Sequence, residues 1–177
     1  MKKIKHSILI ALSILLVSAF THMQSINYKI KDGEYAVTFK GGKIDGVMSG
    51  LKASINFNES SPETSKIIAT IDATTINTGN GLMNKHAKGE NALNTNAFSI
   101  IGFESTSITG KAGSYTAIGK LTLKDVTKEI TLPFTFEHKG AEALFKGTFA
   151  IVPKDFHITK MGAPDLLEIT LTVPVTK

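Results

Sequence analysis

The sequence predicts an all-β protein: eight antiparallel strands closing into a β-barrel, with a short helical insertion around residues 80–95. Three observations predict it. Apolar and polar residues alternate in eight separate runs, and a period of two puts every second side chain on one face of a strand. Short turns rich in Gly, Ser, Asn and Pro separate most of the runs, as in an antiparallel meander. One segment, 79–96, is polar and does not alternate. Closure into a barrel would remove the exposed edges that invite aggregation.

Residues 1–20 read as a secretory signal peptide. Lys2, Lys3 and Lys5 supply a positive start, and Ile8 to Phe20 supply a mostly apolar core. That core suits a signal segment and is short for a membrane span. Val17-Ser18-Ala19 places small residues where a signal peptidase cuts, so cleavage after Ala19 is expected. An uncleaved anchor is the alternative. Without Cys, a lipoprotein anchor is excluded. The expected location is periplasmic or secreted, with no stable membrane span after cleavage, and the folded domain is expected over 27–177.

The eight strands are expected at 33–40, 47–57, 65–72, 98–109, 114–123, 129–137, 142–151 and 165–175. Tyr35, Val37 and Phe39 alternate in the first. Leu51, Ala53, Ile55 and Phe57 do so in the second, and Ile67, Ala69 and Ile71 in the third. The insertion follows. In it Leu82, Met83, His86 and Ala87 stand three and four apart, which suits a short helix, and Gly89 limits its length. A long insertion in a compact meander is a lid, a binding loop or a plug.

Ile101, Phe103, Ser105 and Ser107 mark the fourth strand. Gly119 to Glu137 then reads as one hairpin. Gly119, Leu121 and Leu123 precede the interruption at 124–128, and Ile130, Leu132, Phe134 and Phe136 follow it. Asp125 is the residue there best suited to a left-handed conformation. Pro133 lies mid-strand and cannot donate a ladder hydrogen bond, so a bulge or local opening is expected at it. Phe145, Gly147, Phe149 and Ile151 alternate in the seventh strand. Leu167, Ile169, Leu171, Val173 and Val175 do so in the last.

Composition narrows the function. All 20 basic residues are Lys, and Cys and Trp are absent. Without Arg, bidentate recognition of phosphates or bases is poorly served. The formal charge of +5 falls to +2 once the three leader lysines are removed, leaving 17 Lys against 15 acids. No nucleic-acid partner is expected. An eight-stranded barrel either fills with side chains or holds one small ligand. Here bulky inward residues mix with Ala53, Ala69, Ala117, Gly119 and Gly147, and such small residues leave room for a ligand.

Several stretches carry a family likeness. Gly119-Lys120-Leu121-Thr122-Leu123, continued by Val126-Thr127-Lys128 and Thr131-Leu132-Pro133-Phe134, is similar to a G-x-L-T-[IL]-x-G-[VK]-T-[KR]…L-P-[VF] block. Ile71-Asp72 with Asn77-Thr78-Gly79-Asn80 resembles an I-D…S-x-x-T-G-N run, with His86 where a D-x-H-L-[KR] segment carries His. Phe103-Glu104-Ser105 and Asp155-Phe156 resemble two further short motifs. Together they resemble the YceI-like proteins, bacterial exported domains with a lipocalin-like barrel that bind polyisoprenoid lipids such as quinones. The likeness runs from about Tyr28 to the C-terminus. Departures exist: Tyr28 and Tyr35 stand in the opening where Trp and His are usual, Asp125 replaces a turn Gly, and Pro153 replaces a basic residue.

The expected function is therefore that of a non-enzymatic binding protein holding an apolar isoprenoid-type lipid, or a quinone, in a barrel pore. The pore candidates are Phe103, Leu121, Leu123, Leu132, Phe134, Phe136, Phe149, Ile169 and Leu171. Leu82, Met83 and His86 are candidates for the ligand entrance. The alternative is an interaction protein whose barrel is filled by side chains, and a homodimer is left open. A hydrolase or isomerase on the same barrel is the weakest reading. It lacks a nucleophile motif such as G-x-S-x-G, and His86 has no assignable orienting partner. The His spacings give no metal signature, so neither metal nor cofactor is expected. Asn58-Glu59-Ser60 fits a glycosylation acceptor, a pattern common by chance.

Overall fold

The computed structural model describes residues 25–177, so the leader reading at 1–20 lies outside the described residues. Ten strand segments form one sheet: β1 Ile26–Ile30, β2 Ala36–Gly41, β3 Ile44–Met48, β4 Lys52–Phe57, β5 Lys66–Asp72, β6 Ile100–Lys111, β7 Ser114–Leu123, β8 Val126–Lys139, β9 Glu142–Ile151 and β10 Leu167–Thr176. Among the described residues one α-helix, α1 Gly81–Lys88, stands between β5 and β6. All pairings are antiparallel, and the ring β1-β4-β5-β6-β7-β8-β9-β10 closes through β1 and β10.

This is an eight-stranded barrel with its first two strands each broken once. β1 and β2 pair with opposite ends of the same strand: Lys29 faces Thr176 in β10, while Lys40 faces Glu168. β4 pairs with β1 and β3 pairs with β2. The breaks carry Gly33 and Gly50, both at positive φ (77° and 73°), a conformation that only glycine adopts without cost. They also face each other, because the Tyr35 hydroxyl accepts hydrogen bonds from the Gly50 and Leu51 amides at 2.8 and 3.1 Å. The expected first strand at 33–40 thus missed β1. Ile26, Tyr28 and Ile30 alternate there, but over too few residues to stand out from the Asp32-Gly33 turn that follows.

The remaining strands lie where alternation puts them. Two turns differ in detail. The β7–β8 turn is only two residues, Lys124-Asp125, and the positive φ (57°) belongs to Lys124. Asp125 instead faces His157, with 3.4 Å between Oδ1 and Nδ1. The β6–β7 turn is Ala112-Gly113, with φ of 53° and 84°. Two positive φ values match the twist of a hairpin and favour Asn-Gly or Gly-Gly. Ala112 occupies its place against an intrinsic cost of about 1–2 kcal/mol. Ala112→Asn is accordingly expected to raise stability by about 1 kcal/mol, read as a higher denaturant midpoint with an unchanged slope.

Pro133 is resolved as a one-sided opening. The β7–β8 ladder runs through it unbroken, with Thr116 opposite Pro133. The β8–β9 ladder stops one residue earlier, at Phe134 opposite Gly147. A Cβ built on Gly147 would lie 3.0 Å from the Pro133 carbonyl oxygen, so the backbone of Pro133 faces β9. With no N–H to offer there, it ends the pairing. The 3₁₀ turn Pro153–Phe156 packs beside β8, with Phe156 buried. Asp155 of that turn pairs with Lys128 of β8 at 3.1 Å.

Candidate functional site

The interior divides into two levels. The lower level is solid. Phe57 stands at its centre, its ring 5.0 Å from Tyr115, 5.0 Å from Phe136, 5.4 Å from Phe145 and 5.8 Å from Phe134. Edge-to-face geometry prevails, the arrangement favoured by the ring quadrupole. Tyr28 meets Phe136 and Phe145 at 5.5 and 5.9 Å, and burial, followed by the Glu59 charge, pushes its phenol above the ordinary value. Ile108, Ala117 and Val175 are completely buried in the same cluster.

The upper level is hollow. A cavity of about 620 Å³ lies above the aromatic cluster, a size typical of small-molecule sites. Its walls are the inward residues of successive strands: Ala53 and Ile55 of β4, Ile67, Ala69 and Ile71 of β5, Leu121 and Leu123 of β7, and Leu167, Ile169, Leu171 and Val173 of β10. Of the expected pore residues, Phe103, Leu121, Leu123, Leu132, Phe134, Phe149, Ile169 and Leu171 border the cavity. Phe136 does not; it sits one inward position below Phe134, in the solid level. The small residues serve three purposes. Ala53, Ala69 and Gly147 border the cavity. Gly119 makes way for the Phe103 ring, which lies 2.5 Å from where its Cβ would be. Ala117 packs in the solid level.

The mouth is built by three segments: the β2–β3 turn, helix α1 and the loop after Phe156. Asn80 caps α1, its side-chain oxygen accepting from the Leu82 and Met83 amides at 3.0 Å. Asn84 holds the preceding turn by accepting from the Thr78 amide at 2.7 Å. So oriented, Met83, His86 and Ala87 border the cavity on one helix face, while Leu82 points away and is 64% exposed. The Thr159 and Lys160 amides both donate to the Asn91 carbonyl, tying the loop to the segment after the helix. Lys43, Ile44, Met48 and Lys160 to Pro164 complete the rim. Sequence reasoning missed these rim residues, because irregular loops carry no periodicity. It also left Ala53, Ile55, Ile67 and Ala69 out of the pore, although the same alternation marks them.

The charges are confined to the edges. Lys43, Lys160 and His86 stand at the mouth, Lys146 borders the cavity at the β8–β9 seam, and no Asp or Glu lines it. His138 pairs with Glu59 at 2.9 Å on the surface, far from the cavity in the fold. Asn58 is buried, and its side-chain oxygen accepts from the Ser60 and Ser61 amides, which commits it to the turn. Chemically, the site can take up an apolar molecule and leave a polar end at the mouth.

Comparison with known proteins agrees with this architecture. A profile of the YceI-like domain matches residues 25–176. A UPF0312 protein of Yersinia pestis (strain Pestoides F) is 30% identical over 162 residues, covering 84% of each chain. Another from Yersinia enterocolitica is 29% identical over 156 residues, covering 85% of this chain and 78% of its own. Among solved structures, Burkholderia cenocepacia BcnA superposes with a TM-score of 0.78 at 20% identity, covering 83% of this chain and 99% of its own. The Campylobacter jejuni YCEI protein gives 0.70 at 18%, with 78% and 87% covered. A polyisoprenoid binding domain from Saccharophagus degradans gives 0.64 at 11%, with 84% and 97% covered. A domain match across nearly all described residues, a relative at 30% identity and the shared closed barrel place this chain in the YceI-like family.

Proposed function

We propose that the protein is an exported, non-enzymatic carrier that shelters the apolar tail of an isoprenoid-type lipid in the upper half of its barrel. The observation that carries this reading is the 620 Å³ cavity, walled by aliphatic and aromatic side chains, with its lysines and its histidine at the edges. Burying a CH₂ group is worth about 0.8 kcal/mol, so a prenyl tail can bind without any charged contact. The likeness to a polyisoprenoid binding domain supports the ligand class. The apolar stretch at 8–20 supports export. The polar end of the lipid, a quinone ring included, would sit between α1 and the loop at 160–164.

The test is mass spectrometry of gently purified protein, followed by uptake of an added quinone. A retained lipid of isoprenoid mass, or stoichiometric uptake, is the expected result. Repeated absence of both would favour an interaction protein instead, for which the solid lower level would be the relevant half of the barrel.

A further inference from the structure

The boundary between the two levels lies at the same height around much of the barrel. In β4, Ile55 borders the cavity and Phe57 does not; in β8, the change falls between Phe134 and Phe136; in β10, between Val173 and Val175. The cavity therefore has a floor, and the floor is the Phe57-centred ring cluster. Close-packed rings of this kind do not yield to a flexible chain, because parting them forfeits their mutual contacts.

We infer that this floor is a ruler that limits the length of prenyl tail the barrel shelters. The inference rests on the carrier function proposed above and deepens it. The cavity of about 620 Å³ is bounded below by the ring cluster, so a prenyl tail buries only as many five-carbon units as fit above it. Further units have nowhere to go but out through the mouth, where water surrounds them and their burial adds nothing.

The test uses all-trans prenols of two to eight isoprene units, with affinity measured for each. Affinity is expected to rise at least about tenfold per added unit up to a break within this series, and less than about twofold per unit beyond it. A second series uses Ala53→Phe, which places a ring in the hollow level where it meets space and leaves the floor intact. The plateau should then come about one unit earlier, with the melting temperature held. Phe57→Leu, which thins the floor, should move the break toward longer chains. A wild-type affinity that climbs steadily through eight units overturns the ruler and leaves the carrier function standing. Absence of binding at every length overturns both.

Discussion

Phe57→Ala is expected to destabilise the protein by about 3–5 kcal/mol. Phe57 is 1% exposed and touches rings from three other strands, Tyr115 of β7, Phe134 and Phe136 of β8, and Phe145 of β9. Truncation removes the transfer free energy of the ring. It also leaves a void that neighbours held by strand pairing on both sides cannot collapse to fill. The four edge-to-face contacts add to the loss. Equilibrium denaturation in the absence of lipid reads it as a fall in midpoint. Phe103→Ala makes the contrast, because Phe103 already borders the cavity and is only half-buried. Its removal enlarges an existing space, so a markedly smaller loss is expected. Equal losses at the two positions would contradict the division into a solid and a hollow level.

Gly110→Ala is expected to cost about 2–6 kcal/mol, without any change near the cavity. Two effects combine. Gly110 has φ of +131°, a region that L-residues occupy at about 1–3 kcal/mol. A Cβ there would also lie 2.3 Å from the Ser114 carbonyl oxygen and 2.6 Å from the Tyr115 Cα. Both are backbone atoms of the facing strand, so relief requires the β6–β7 hairpin to move, at about 1–3 kcal/mol more. Gly102→Ala, in the same strand, is the control. Its Cβ would meet nothing within 4 Å and its φ is not positive, so its effect should stay within about 1 kcal/mol. Denaturation curves of the two variants side by side check both statements.

Much of the barrel was legible because a period of two is a local property of the chain. Leu167 to Val175 must put one face inward wherever that strand lies, and the same holds for Leu121 and Leu123. Pro133 was legible for the same reason, since a missing N–H has a consequence in any ladder. Other features were invisible to that logic. β1 is only five residues long, and its role in closing the barrel depends on the opposite end of the chain. Leu82 and Met83 are neighbours in sequence, yet only the docking of α1 decides that Met83 faces the cavity. Lys43 and Lys160 are far apart in the chain and meet the same mouth only through loop packing.

Phe134 and Phe136 show the division most sharply. Alternation alone put both on the inner face, and it did so correctly. It could not say that Phe134 borders a hollow while Phe136, packed against Tyr28, Phe57 and Phe145, does not. Which side chains point inward follows from backbone geometry within one strand and is readable from alternation. Which of them touch one another and which leave space depends on the register of eight strands that the chain brings together from end to end.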